Sequence, residues 1–577
     1  MKKKLLPALI VTGLIILVVI IMGITALINK YTPTKKTEDL KEYFNISSDD
    51  EAALIVNNEL SDYKAKIIDK KIYVDYKFVH DSLNSRFYWD ANENVLLYTT
   101  ASDIISAAAD SNSYSVTKQT NDFGYPIVKA TSDSALIALD YVKQYSNITF
   151  KSYDDPARIV ITSKWDEIDS ATVSKSTQVR VKGGIKSPIL KEVKKDDKIT
   201  ILDSGDKWDK VATEDGVIGY IKRKALSESK KTKLTNPDYE EETFTHIKKD
   251  KDICLAWNQV TSQSANSKVP QVISSTKGIN VMSPTWFYLN DNNGNLADIA
   301  SKDYVSYCHS QGIEVWGLFS NLENTDVDAA YVLTHTSTRT TLINQIMSAA
   351  FNYELDGVNI DFENITEAAY GDSYIEFIRE LAIKCHNNGI SLSVDVTVPA
   401  SFNKFFNRSD MANFADYIVI MGYDEHYKGS DAGSVSSIPW VTEGVESTLK
   451  EVPADQIILG MPFYTRIWEL TPKEDDDAVT DTEDQSKYTV ASQVYSMDAA
   501  AAQLATNNAT AALDEESGQN YAEWSASNKL YKVWLEDTTS LEKRLKLVDD
   551  NKLAGAAFWK LGFENSSVWD TVIKYLD

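Results

Sequence analysis

The sequence predicts a parallel (β/α)8 barrel at the C-terminal end of a multidomain chain, and three observations point there. Residues 355–364 read Leu-Asp-Gly-Val-Asn-Ile-Asp-Phe-Glu-Asn, so apolar Val358, Ile360 and Phe362 alternate with polar Asn359, Asp361 and Glu363. A period of two marks a strand. Apolar residues flank it at helical spacing: Leu342, Ile343, Ile346, Met347 and Ala350 before it, and Tyr374, Phe377, Ile378, Leu381 and Cys385 after it. Gly389 then stands where a helix would stop. Finally, strand-like runs at 253–257, 279–287, 313–319, 358–362, 391–398, 417–422, 457–462 and 554–559 are separated by helical patterns. Strands alternating with helices specify a parallel sheet, and acids at the C-terminal end of a barrel strand line its mouth. Alternation alone would also fit a half-exposed sandwich strand; the helical flanks favour the barrel.

Taken in order, the chain opens with Lys2, Lys3 and Lys4 before an uncharged apolar run, 5–28, closed by Lys30. That run has the length of a bilayer span, and the positive charge in front predicts a cytoplasmic N-terminus with the rest outside. Residues 1–30 are therefore read as a transmembrane anchor, a cleaved signal being the alternative. The polar stretch 31–50 reads as a linker. Within 51–168, Phe87-Tyr-Trp-Asp and Val95-Leu-Leu-Tyr are echoed by Phe150-Lys-Ser-Tyr-Asp-Asp and Ile159-Val-Ile-Thr, each hairpin following a helical stretch. This small α+β module resembles the stalk domain named after the amine oxidase N-terminal domain. Residues 170–228 carry short strands with turn signals at Gly183-Gly184, Asp203-Ser-Gly205 and Asp215-Gly216. They resemble an all-β bacterial SH3-like barrel, in which Trp208 and Tyr220 either line a wall-ligand groove or form the core. A charged linker, 229–245, leads to the barrel, 246–577. The long gap before the last strand holds an insertion at about 469–530 with an acidic run, 474–484, read as solvated surface.

The chain has 577 residues, 84 acidic against 59 basic, for a net charge of −25. So acidic a surface disfavours nucleic acid as a partner. Cys254, Cys308 and Cys385 are widely spaced and odd in number, and read as buried apolar fillers. Six scattered histidines carry no zinc-ligand spacing, so neither metal nor cofactor is expected.

Asp356, Asn359, Asp361 and Glu363 resemble the Asp-x-x-Asp-x-Asp-x-Glu signature of family 18 glycoside hydrolases, with Asn in place of the second Asp. Met421-Gly-Tyr423-Asp424 is similar to that family's sixth strand, the run from Gly460 to Arg466 to its seventh, and Gly555-Ala-Ala-Phe-Trp559 to its eighth. The resemblance is strongest to the spore cortex-lytic branch. It implies Glu363 as general acid, with Asp361 and Tyr423 holding the substrate's 2-acetamido group, whose oxygen is the nucleophile. It further implies substrate contacts from Asn359, Asp356, Met421, Asp424, Arg466 and Trp559, with Trp286 and Trp257 as candidate sugar platforms or core residues. At the strand's start, Asp356 reads as more structural than catalytic. An amide at Asn359 cannot accept a proton from Asp361, so Asp361 is expected to stay charged. The expected partner is an N-acetylated polysaccharide, peptidoglycan first and chitin or N-glycan second, with the SH3-like module on the wall and the helix in the membrane. A non-catalytic glycan-binding barrel and a magnesium enzyme using Asp356, Asp361 and Glu363 are the readings from other classes.

Full-length protein is expected in the membrane fraction, released only by detergent, while a chain starting near Lys35 should be soluble. Recovery of the full-length product from the medium, trimmed after the apolar run, would identify a signal peptide instead.

Overall fold

The computed structural model describes residues 5–365, 368–473 and 484–576, so the acidic run lies almost wholly outside the described residues. The N-terminal helix Leu5–Tyr31 is apolar, and it is exposed from Pro7 to Tyr31. It is long and apolar enough to cross a membrane, a test that a secretory signal also meets. The chain packs as two compact units, one of residues 1–89, 107–114 and 120–241, the other of residues 90–106, 115–119 and 242–577.

The first unit is built on two seven-stranded sheets. In one, strand Glu51–Val56 lies between Arg158–Thr162, in parallel, and Glu59–Ile68, antiparallel. The repeat read from the hairpins extends upstream. Strand Lys71–Asp75 leads into helix Tyr76–Ser82 as Ala135–Ala138 leads into Leu139–Gln144, each followed by a two-stranded run. The other sheet spans Glu167–Thr172 to Lys230–Lys233, antiparallel neighbours at its edge. That edge falls in the stretch predicted as linker 229–245. Its sequence, Lys-Lys-Thr-Lys, is exposed throughout and carries no apolar period, a composition that guards edges against pairing.

Nor are residues 31–50 a loose spacer. They form a short helix, Leu40–Tyr43, and Phe44 is fully buried in a core shared with Ile55, Val179, Val211 and Ile221. Tyr43 donates to the Ile218 carbonyl at 2.6 Å, and Arg158 pairs with Asp215 at 2.5 Å. The two predicted modules of this unit thus share one core.

The second unit is an eight-stranded parallel barrel: β1 (Ile253–Asn258), β2 (Val281–Leu289), β3 (Glu314–Ser320), β4 (Gly357–Asp361), β5 (Ser391–Thr397), β6 (Tyr417–Met421), β7 (Ile457–Pro462) and β8 (Gly555–Trp559). Each strand pairs with the next, and β8 pairs with β1 to close the ring. Leu255, Val281, Trp316, Leu318, Val419 and Ile458 fill its interior. Outward residues such as Val358, Ile360, Leu392 and Val394 pack under helices α1 (Thr336–Tyr353) and α2 (Ala368–His386). Gly389, at φ +68°, makes the turn after α2. The three cysteines are free and buried, and burial pushes the Cys254 and Cys308 thiols up to about 12. Between β7 and β8 an antiparallel five-stranded sheet, Tyr464 to Leu535, carries helix Met497–Thr506. It is somewhat wider than the predicted insertion.

Residues 90–106 belong to this unit although they lie far upstream. Asp90, 1% exposed, accepts from the Thr336 amide at 2.7 Å and its hydroxyl at 2.6 Å, and Glu93 accepts from the Ser337 amide at 2.9 Å. His335, at the N-cap of α1, has no side-chain cap of its own, so these carboxylates satisfy orphan amides of the first turn. Thr99 donates to buried Glu376 of α2 at 2.8 Å. Glu376 in turn pairs with Arg379, which also binds Asp410, while Arg339 pairs with Glu380 at 2.9 Å. Asp90→Ala is expected to destabilise the barrel by about 2 kcal/mol, combining a lost cap with unpaired buried donors. A lowered urea midpoint would show it, and an unchanged midpoint would make the hairpin dispensable.

Candidate active site

The period of two on β4 sorts its side chains as predicted. Phe362 faces the helices, ring-stacked with Phe377 at 5.5 Å, while Asn359 faces the barrel interior. Gly357 is required by close approach, since a Cβ there would lie 2.5 Å from the Trp316 ring.

Asn359 is fully buried and uses its whole amide. Its Oδ1 accepts from Trp257 Nε1 and from Ser283 Oγ, both at 2.9 Å. Its Nδ2 donates to Ser393 Oγ at 3.0 Å and to Asp395 Oδ1 at 2.7 Å. One step toward the mouth is Asp361, whose Oδ1 is buried without a hydrogen-bond partner among the described residues. Burial, then the charges of Glu363 and Glu323, push its carboxyl well above the usual range. Against the expectation of a charged Asp361, these surroundings by themselves oppose its ionised form.

Glu363 follows the strand's end. Asn321 brackets its backbone, donating from Nδ2 to the Glu363 carbonyl and accepting from the Glu363 amide, each at 2.9 Å. This fixes the backbone, and no hydrogen bond from the described residues holds the carboxyl. Burial, then the charges of Asp424 and Glu323, raise that carboxyl, the condition for a group that must carry a proton to its substrate. Tyr423 lies edge-on to Trp257 at 6.4 Å and to Tyr464 at 6.2 Å. Burial and the nearby carboxylates hold its phenol protonated far above its ordinary value. Asp424, held at φ +61°, accepts from the Tyr464 hydroxyl, with Arg466 3.9 Å away. Met421 ends β6, and Trp559 ends β8, half-buried and edge-on to Trp257 at 6.0 Å.

Three predicted contacts are not open to a sugar. Trp286 is fully buried in the layer between barrel and helices, where its Nε1 donates to Asn266 at 2.7 Å, so no sugar can stack on it. Asp356 precedes β4 at the far end of the barrel. It faces His309 at 2.8 Å and accepts from the Val315 amide, a structural role. Trp257, 1% exposed, is the floor beneath Tyr423 and Trp559 and offers a sugar no face. Conversely, Asp395, Glu323, Asn321 and Tyr464 were not anticipated. For Asp395 a signal existed: Ser391, Ser393, Asp395 and Thr397 alternate with apolar residues on β5, as the acids do on β4.

Residues 324–564 match the family model described as Glycosyl hydrolases family 18. The barrel is a family 18 glycoside hydrolase domain. The uncharacterized glycosylase YvbX of Bacillus subtilis strain 168 is 24% identical over 301 residues, covering 49% of this chain and 81% of that protein. A cortical fragment-lytic enzyme of the same strain is 25% identical over 287 residues, 48% of this chain and 63% of the relative. Among solved structures, the C-terminal domain of a chitinase-like protein from Desulfitobacterium hafniense DCB-2 superposes with a TM-score of 0.50 at 18% identity. It covers 57% of this chain and all of that domain, a likeness of fold.

The raised carboxyls carry a stability signature. A group whose pKa is higher folded than unfolded adds stability below the ordinary carboxylate range, and that contribution is lost as pH rises through the folded value. Glu363→Gln is accordingly expected to be more stable than wild type at neutral pH and to lose less stability between mildly acidic and neutral pH. Urea denaturation at the two pH values checks it; parallel losses would mean Glu363 ionises as freely as in the unfolded chain.

Proposed function

We propose that this chain is an exported, membrane-anchored glycosidase that hydrolyses β-1,4 bonds at N-acetylglucosamine residues of peptidoglycan, with retention and with the substrate's own acetamide as nucleophile. The observation that carries the reading is the buried Asp361 Oδ1, without a partner among the described residues, on the strand that leads to a raised Glu363, together with the protonated Tyr423 phenol. The Glu363 carboxyl donates its proton to the glycosidic oxygen as the bond to C1 breaks. The acetamide oxygen bonds to C1 from the other face, giving a cyclic oxazolinium. Asp361 accepts the acetamide N–H and balances the positive charge, while Tyr423 donates to the acetamide oxygen and orients it. Water then attacks C1, giving its proton to the Glu363 carboxylate and restoring the acetamide. Trp559 offers a face at the mouth to the bound sugar.

Peptidoglycan is favoured because the relatives include a cortical fragment-lytic enzyme, and because an anchor with wall-associating modules would hold the barrel at the wall. Chitin is the second reading, supported by the similarity of the barrel to the chitinase-like domain. Product analysis on purified peptidoglycan beside chitin oligomers separates the two.

Glu363→Gln is expected to lower kcat by about 10²–10⁴-fold, the range for a lost general acid. Tyr423→Phe should lower it less, having lost a neutral hydrogen bond worth about 0.5–1.5 kcal/mol. A thiazoline mimic of the oxazolinium should inhibit competitively. Equal rates on acetylated and de-N-acetylated glycan would eliminate the acetamide mechanism.

A further inference from the structure

In the family motif a carboxylate precedes Asp361 by two residues on the same strand; here that position is Asn359, which holds neither charge nor transferable proton. Its Nδ2 reaches across to β5 and donates to Asp395 at 2.7 Å. Asp395 is 2% exposed. β4 and β5 run in register, with Asn359 opposite Ser393 and Ile360 opposite Val394. Asp361 and Asp395 are the next residues on each strand, so they stand at one height on strands about 4.8 Å apart.

The groups around this pair are acidic or phenolic. Glu363, beyond β4, acts on both carboxyls, and Glu323, beyond β3, acts on Asp361. Tyr374, on α2, and Tyr423, beyond β6, feel both. Tyr374 is fully buried and its hydroxyl has no hydrogen-bond partner among the described residues. The charge of Asp361 raises the Asp395 carboxyl, and buried carboxyls at one height on adjacent strands resist ionising together.

We propose that Asp395 is the displaced partner of Asp361: the two share one proton, and Asp395 receives it when Asp361 takes up charge against the substrate's acetamide N–H. In that step one O–H bond breaks on Asp361, one forms on Asp395, and the negative charge passes from Asp395 to Asp361. The Asn359 amide holds the receiving carboxyl in place. Asp395 is thus a positioning residue, acting through Asp361, and the inference rests on the acetamide mechanism proposed above.

The test compares full-length wild type with Asp395→Asn, Asn359→Asp and the exchange variant carrying both. On N-acetylated glycan, Asp395→Asn is expected to lower kcat about tenfold or more, as for a lost charged hydrogen-bonding partner, with KM little changed. Its pH–rate profile should also lose the second ionisation of the pair. The exchange variant, which restores one carboxyl and one amide on the same two strands, should recover most of the rate and the wild-type profile. It also covers the case in which Asp395→Asn alone misfolds. An unaltered profile in Asp395→Asn, or an exchange variant no better than the single ones, would overturn the proposal.

Infrared titration of the carboxylic-acid C=O band gives a readout independent of turnover. A protonated band present at neutral pH in wild type should weaken or shift in Asp395→Asn and return in the exchange variant; identical spectra would overturn the shared proton. If wild type cleaves no N-acetylated glycan, the mechanism above fails, and the titration still decides whether the pair holds one proton.

Discussion

The site depends on a single amide. Asn359 accepts from residues of β1 and β2 and donates to two residues of β5, so four of the eight strands, counting its own, meet at one side chain. Each of these buried groups, left unpaired, would cost about 1–3 kcal/mol. Together they form a satisfied network, which makes for rigidity in a low-dielectric interior. The bond to Trp257 orients an indole whose edges meet Tyr423 and Trp559, so the wall of the site is set from its floor.

Around this fixed centre the mouth is made of groups that repel one another. Asp361, Glu363 and Asp395 are all raised, with burial the largest cause for each. Such an arrangement opposes stability, as sites with strongly perturbed carboxyls do. Compensation lies behind the barrel, where Arg339, Arg379 and Arg544 are paired with Glu380, Glu376 and Glu536. The cations are thus paired among and beside the outer helices, while the carboxyls at the mouth are raised.

The sequence was most legible where one period governs a whole element. The alternation at 355–364 gave the inward set of β4 directly, and the eight strands fell close to their predicted bounds. It failed where the period is interrupted or silent. On β2, Ser283 and Thr285 face inward by alternation, but the register shifts between Thr285 and Phe287, and Trp286 and Phe287 both join the outer layer. A bulge leaves no mark in composition. The edge strand of lysines and threonine lacks any apolar residue to reveal its pairing, and the burial of Phe44 depends on partners far along the chain. Asp395 was visible as one acid in an alternating run. Its meaning required knowing which strand lies beside β4 and at what height.

The hairpin around Asp90 bears on how such a protein can be rearranged by evolution. Its carboxylates complete the first turn of a barrel helix, though they are encoded well upstream of the first barrel strand. A recombination breakpoint placed in the apparent linker before the barrel would transfer a catalytic domain whose helix begins with bare amides. Descent should therefore keep the upstream module and the barrel together as one cassette, and shuffling should favour cuts nearer the N-terminal helix.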